Sequence, residues 1–167
     1  GSGLTGERGT APGRGNVSGR ERTGWKGRPD GGGSAGDGTG KPMGGAEAGA
    51  ANVVSGNTLY GMWIEGNTTV YGNRIGTTAD GSGPLGNGTE GINVHESSNS
   101  TIGGILAGQA NEIAWNVGAG ILLSSSGVAD SVRGDSIHDN GALGIDPNGD
   151  GPRQNDPGDG DEGPNHL

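Results

Sequence analysis

Short apolar segments bounded by Gly and Asn recur along the second half of the chain. In residues 55–67, SGNTLYGMWIEGN, the apolar residues Met62 and Ile64 stand two apart. This alternation predicts a strand with one buried face. Four glycines are each followed by an apolar residue and placed four residues after an asparagine, and at the first three a second apolar residue follows two positions later. They are Gly61, Gly91, Gly120 and Gly144, after Asn57, Asn87, Asn116 and Asn140.

These landmark glycines repeat at intervals of 30, 29 and 24 residues, which is typical of a solenoid. A second landmark lies between them, because VYGNRI at 70–75 aligns with VRGDSI at 132–137. The alignment identifies two insertions, nine residues at 77–85 and six residues within 103–110. Without these insertions the units are 21, 23 and 24 residues long, and each contains three short strands.

Composition supports a stack of thin layers. The chain has 42 Gly in 167 residues, no Phe and 27% hydrophobic residues, too little for a conventional core. A parallel β-helix buries a few side chains per coil, and Asn suits its corners because it tolerates the left-handed conformation and can bond to an Asn one coil away. We therefore predict an all-β fold, a parallel β-helix of about four coils over 51–147. The usual handedness of parallel crossovers makes it right-handed.

Residues 1–50 have a different character. They contain 18 Gly and no apolar periodicity, and they carry seven Lys or Arg against five acids. We predict a disordered Gly-rich tail or linker, or an extension foreign to the natural protein. Interspersed acids and the lack of interleaved aromatics argue against nucleic-acid binding. The absence of Cys excludes disulfides and thiolate metal sites, and no apolar run is long enough to span a membrane.

The repeat segments resemble a known family. NVVSGNTLYGMWIEGN, TVYGNRIGTTADGSGPLGNGTEGI, STIGGILAGQANEI and SVRGDSIHDNGALGID are similar to the right-handed β-helix repeats of bacterial exported proteins with the pectin-lyase-like fold. The resemblance covers about 51–167. It implies an extracellular or cell-surface protein with an adhesive or carbohydrate-related role, and a chain that is part of a longer one with adjacent domains.

Candidate chemistry lies on the outward columns of the predicted strands. The residues two and four after each landmark glycine should form two outward columns. Successive residues of one column should lie about 4.8 Å apart, one coil above the other, which places Glu65 beside His95. Such a pair can serve acid–base chemistry, or it can be a solvated pair on a polar face. Arg133 and Asp135 are further catalytic candidates, in a polar cluster with other residues of the last coil. Aromatic side chains suited to stacking on sugars are Tyr60, Trp63, Tyr71 and Trp115.

The acidic segment 148–167 and the residues just before it suggest a cation site. Asp146, Asn148 and Asp150 stand at alternate positions and precede Gly151, as in the first half of a calcium loop. The usual acid at the twelfth position is replaced by Pro157, so Asp156 is the fourth candidate ligand. We expect calcium to bind here, with a solvated acidic turn as the alternative.

These observations favour a structural or adhesive, carbohydrate-binding segment of an exported protein, with a polysaccharide as its partner. The alternative is a polysaccharide lyase or glycoside hydrolase.

Overall fold

The described part of the chain is built from strands. The computed structural model describes residues 34–35, 42–47, 50–124 and 129–152, and within these ranges it contains thirteen strands and no helix. Every strand pairs in parallel with strands of other coils. The all-β, parallel class predicted from the sequence is confirmed.

The strands form three stacked sheets that the chain visits in turn. The first sheet has the order β1 (Ser34–Ala35), β4 (Met62–Ile64), β7 (Ile92–His95), β10 (Ile121–Ser124) and β13 (Ile145–Pro147). The second has β2 (Pro42–Gly44), β5 (Thr69–Tyr71), β8 (Thr101–Ile102) and β11 (Ser131–Val132). The third has β3 (Val53–Val54), β6 (Arg74–Ile75), β9 (Glu112–Ala114) and β12 (Ser136–His138). This order is compatible with a parallel β-helix.

The register between strands follows the predicted landmarks. Met62 pairs with Ile92, Ile92 with Ile121, and Ile121 with Ile145. Every second residue points inward, and these side chains form one core between the three sheets. Its buried members are Val54, Met62, Ile64, Val70, Ile75, Ile92, Val94, Ile102, Ile113 and Ile121.

The landmark glycines are required by close packing between coils. A Cβ atom at Gly91 would lie 2.6 Å from the carbonyl oxygen of Gly120 and 2.8 Å from Nδ2 of Asn116. At Gly144, in the last described coil, the nearest heavy atom would be 3.5 Å away, in the side chain of Ile137. The need for glycine therefore arises from the neighbouring coil, and it ends where the stack ends.

Four asparagines form a hydrogen-bonded ladder at the corner between the third and first sheets. Nδ2 of Asn57 donates to Oδ1 of Asn87 over 2.8 Å, Asn87 donates likewise to Asn116 over 2.7 Å, and Asn116 to Asn140 over 2.9 Å. The backbone N–H of each donor residue contacts the same oxygen. The predicted Asn-to-Asn bonding between coils is confirmed.

A second ladder lies at the corner between the second and third sheets. Asn52 donates to Asn73, Asn73 to Asn111, and Asn111 to Asp135, with Nδ2···Oδ1 distances of 3.0, 3.0 and 2.9 Å. The amide groups of Asn73 and Asn111 also donate to a carbonyl of the preceding coil, each over 2.9 Å. Asp135 ends this ladder with a carboxyl group, which has no amide N–H to offer.

Both predicted insertions are confirmed by the register. Val54 pairs with Ile75, and Asn57 bonds to Asn87, so residues 77–85 form the extra loop. A bridge between Thr77 and Pro84 closes this loop. Within it the side chains of Thr78 and Ser82 and the backbone N–H of Ser82 donate to Asp80, and these hydrogen bonds lower the pKa of Asp80 to about 2. The second insertion carries the exposed Ile105 and Leu106.

The parallel stack starts earlier than the predicted boundary at residue 51. β2 pairs with β5 over three positions, and Met43 packs partly buried against the core. β1 and β2 were not predicted from the sequence because these segments lack apolar alternation. The predicted disorder of 1–33, 36–41 and 48–49, and the structure of 153–167, lie outside the described residues.

Pro147 lies on the outer edge of the first sheet. The N–H of Asn148 donates to the carbonyl of Leu123 in β10 over 2.9 Å. Because successive N–H groups of a strand point to opposite sides, an N–H at position 147 would point away from β10. Proline has no N–H to present there. Among the described strands β13 is the last of its sheet, so this removes a donor from its outer edge and disfavours unintended strand addition.

Candidate functional site

The outer face of the first sheet brings an acid, an imidazole and two aromatic rings together. Met62 and Ile64 point into the core, so the intervening Trp63 and the following Glu65 point outward. Trp63 pairs with Asn93 and Ile64 with Val94, which places Glu65 alongside His95 one coil away. The predicted neighbourhood of Glu65 and His95 is therefore present in the structure.

The rings pack in a short series across two coils. The ring centroids of Trp63 and His95 are 4.7 Å apart, and the two planes are tilted by 30°. Tyr60 lies on the Trp63 ring at 5.2 Å with an angle of 57°. Trp63 and His95 belong to different outward columns, so their contact is diagonal. The size of the rings is the sequence signal that could have predicted this contact, because aromatic side chains are large enough to reach diagonal neighbours on adjacent strands.

Glu65 is anchored by the indole beside it. The Nε1–H of Trp63 donates to Oε1 of Glu65 over 2.8 Å, and Nδ1 of His95 lies 4.0 Å from the same oxygen. Nδ1 of His95 makes no hydrogen bond. The side chains of Glu65 and His95 remain 54% and 34% exposed, although Nδ1 of His95 is itself buried. We define Tyr60, Trp63, Glu65 and His95 as the Trp63 cluster.

The outward column itself is less exposed than expected. Asn93 and Asp146 are buried, although both occupy the outward side of their strands. Asn93 stands between Trp63 and Leu122, one strand spacing from each, and these large side chains cover it. The column therefore forms a packed outer layer and not an open polar row.

The structure places Asp135 in a structural position. Its Oδ1 accepts the backbone N–H and the Nδ2–H of Asn111, and its Oδ2 is buried without a partner among the described residues. Burial raises the pKa of Asp135, against the opposing effect of these two hydrogen bonds. The guanidinium of the exposed Arg133 instead donates to Oγ of Ser131, over 2.9 and 2.7 Å. Within the described ranges, no ion pair joins Arg133 to Asp135.

A second group of similar composition lies in the last coils. Trp115 contacts His138 edge to face, with centroids 5.6 Å apart, and Nδ1 of His138 lies 2.9 Å from Oδ2 of Asp139. The side chains of His138 and Asp139 are 40% and 64% exposed. We define Trp115, His138 and Asp139 as the Trp115 cluster.

The candidate calcium ligands are only partly described. Asp146 is buried in β13, and its Oδ1 accepts the backbone N–H of Gly151 over 3.3 Å, which closes the turn at 148–150. Asn148 has a positive φ of 70°. Asp156 lies outside the described residues. Where the structure describes the chain, no group of three His, Cys, Asp or Glu residues is placed to hold a metal ion.

In the part of the chain that the structure describes, there is no helix long and apolar enough to cross a membrane. No family model matches the chain, and no curated protein and no solved structure is significantly similar to it.

Proposed function

We propose that this chain is a carbohydrate-binding, structural segment of a bacterial cell-surface or secreted protein. In this proposal the three stacked sheets form a right-handed, pectin-lyase-like β-helix, as the repeat phrasing of the sequence suggests. The rigid stack presents binding side chains on its outer faces and connects to neighbouring domains of a longer chain.

The Trp63 cluster is the observation that supports this proposal. Sugar rings bind proteins through their apolar faces, which stack on aromatic side chains, and through hydroxyls, which bond to acids, amides and imidazoles. The Trp63 cluster combines two rings, a fixed carboxylate and an imidazole within two coils. Its Glu65 carboxylate is held by the indole N–H at 2.8 Å and is thus oriented before a ligand arrives. Such preorganisation lowers the entropic cost of binding.

Charge restricts the class of carbohydrate. Residues 51–167 contain fourteen acids and three arginines, a net charge of −11. A polyanion such as polygalacturonate is repelled by such a field, whereas neutral and amino sugars are not. We therefore propose neutral or amino-substituted polysaccharides as ligands of the Trp63 cluster.

Binding of defined oligosaccharides tests the proposal. Isothermal titration with cellohexaose, N-acetylchitohexaose, chitosan hexamer and oligogalacturonate should show binding of a neutral or amino sugar and none of the galacturonate. Trp63→Ala should weaken this binding by about tenfold or more, because aromatic anchors contribute over 1 kcal/mol. Ile105→Ala, which truncates an exposed side chain in the second insertion, is the control and should bind normally. Equal affinity in both variants would refute the assignment of the site.

The Glu65–His95 pair favours a second candidate function, a polysaccharide lyase or hydrolase. A carboxylate and an imidazole 4.0 Å apart on an accessible face can act as acid and base. Reducing-end and unsaturated-product assays on the same oligosaccharides would detect turnover. Product formation that is lost in Glu65→Gln would establish the enzyme in place of the binding segment.

A further inference from the structure

The Trp115 cluster repeats the tryptophan, histidine and acid of the Trp63 cluster on another part of the stack, with no counterpart to Tyr60 among the described ring contacts. In both clusters a tryptophan of one coil contacts a histidine of the next coil, at 4.7 Å for Trp63 and 5.6 Å for Trp115. In both, Nδ1 of the histidine faces a carboxylate, at 4.0 Å from Glu65 and 2.9 Å from Asp139. The histidine and the acid are partly exposed in each case. The same set of ligand-binding groups is thus present twice.

Trp115 has a left-handed backbone conformation at a corner where glycine would fit without strain. Trp115 directly precedes the ladder residue Asn116, and the residues that precede Asn57 and Asn140, Gly56 and Asp139, also have positive φ, of 69° and 51°. Trp115 has a φ of 56°, in the left-handed region that glycine adopts freely and bulky residues rarely do. Of the described non-glycine residues with positive φ, it has the largest side chain. A strained backbone that carries an aromatic ring supports a role for that ring.

The chemistry of the Trp115 cluster suits the ligand class proposed for the Trp63 cluster. The indole offers an apolar ring for stacking, and Asp139 fixes the imidazole of His138 through a 2.9 Å contact so that the ring can bond to a hydroxyl. We propose that the Trp115 cluster is a second carbohydrate-binding site, so that the protein is bivalent. This inference rests on the proposed function and adds a second position for the same polymer.

The position of the two clusters on the stack suits one long ligand. Asn57 and Asn116 belong to the same ladder two rungs apart, so the two tryptophans are offset by about 10 Å along the stack axis. Trp63 follows the corner of this ladder and Trp115 precedes it, so a ligand that reaches both must cross one corner. A polysaccharide chain of sufficient length can occupy both sites, and the second contact then gains from a high effective concentration.

Titration with short and long ligands tests bivalence. We expect N-acetylchitobiose or cellobiose to bind with a stoichiometry of two, and the corresponding longer oligosaccharides and polymers to bind about a hundredfold more tightly. Trp115→Gly should reduce the stoichiometry to one and abolish the gain with length. Glycine suits the left-handed corner, so this variant should fold normally, and a thermal melt checks that it does. His138→Gln is an independent second variant and should have the same effect.

The outcomes separate this inference from the proposed function. Unchanged stoichiometry and length dependence in Trp115→Gly, together with loss of all binding in Trp63→Ala, would overturn the second site and leave the first in place. Binding that is lost in Trp115→Gly and kept in Trp63→Ala would support this site and overturn the first. Absence of binding to every neutral and amino sugar tested would overturn both.

Discussion

Asp135 occupies a ladder position that asparagine fills in the preceding coils, and Asp135→Asn should therefore stabilise the protein at neutral pH. In the second ladder, the Nδ2 of Asn111 donates to the carbonyl of Val70, the residue that pairs with Ile102. Ile102 in turn pairs with Val132, so the equivalent acceptor for residue 135 is the carbonyl of Ile102. The buried, unpartnered Oδ2 of Asp135 occupies the place of the amide nitrogen. Its ionised form presents an acceptor where a donor is needed.

The magnitude follows from the hydrogen bond that is gained. A new amide-to-carbonyl bond contributes about 0.5–1.5 kcal/mol, and removal of a buried unsatisfied acceptor contributes a similar amount. Contributions of contacting groups are not additive, and we expect a total of about 1–2 kcal/mol at pH 7. For a domain of this size, each kcal/mol raises Tm by roughly 4–8 °C.

The pH dependence gives the sharper test. Burial raises the pKa of Asp135 in the folded protein, so its protonated form is favoured by folding. The contribution of this group to stability is fully present below the unfolded pKa of Asp, about 3.9, and is lost as pH rises through the folded pKa. A protonated carboxyl can donate a hydrogen bond as the amide does. The stability difference between Asp135→Asn and the parent protein should therefore be small near pH 4 and grow towards pH 7.

Urea denaturation at several pH values between 4 and 8 measures this difference. Glu47→Gln is a matched control, because it makes the same charge change on an exposed side chain outside both ladders. A variant Asp135→Asn that is less stable than the parent at pH 7, or a difference that does not change with pH, would refute the ladder argument.

Three further predictions follow from the stack. Gly91→Ala should destabilise the protein by about 1–3 kcal/mol because its Cβ would overlap the next coil, whereas Gly144→Ala should be nearly neutral; equal urea midpoints for the two variants would contradict the packing account. Asn87→Ala should lower the free energy of unfolding by roughly 2–4 kcal/mol, because it leaves the two donors of Asn57 without their acceptor and removes a buried amide. The exposed Asn67→Ala should change it by no more than about 0.5 kcal/mol, and the same urea midpoint in both variants would contradict the prediction. Calcium should raise the stability by about 2.7 kcal/mol at a hundredfold excess over its Kd, and Asp146→Asn should remove this effect; identical melts in calcium and chelator, or an equal shift with magnesium, would exclude the site.

The amino-acid sequence by itself determined the class of fold and most of its register. Residues stacked in successive coils have the same surroundings, so the same residue type recurs at equivalent positions. This holds for the glycines at 61, 91, 120 and 144 and for the asparagines four residues before them. The alternation of apolar residues then fixed which side chains point inward, and Ile92 and Ile121 pair as their spacing predicts. Both insertions could be located because the strands on either side keep their repeat.

The ends of the stack could not be located from the same signal. An outer coil has one neighbour and buries less apolar surface, so β1 and β2 form in a Gly-rich stretch whose sequence shows no alternation. The parallel pairing that orders them is made by backbone groups, which every residue carries, and it therefore leaves little trace in the sequence.

Only the tertiary structure decided the roles of the polar side chains. The alignment of VYGNRI with VRGDSI placed Asp135 opposite a ladder position, yet the sequence alone also allowed a catalytic acid there. The structure shows the carboxyl accepting two hydrogen bonds from Asn111. Similarly, the contacts of Trp63 with His95 and of Trp115 with His138 depend on diagonal distances between coils. Linear periodicity fixes which residues share a column, but which neighbouring side chains touch is set by their rotamers and by the course of the backbone at each corner.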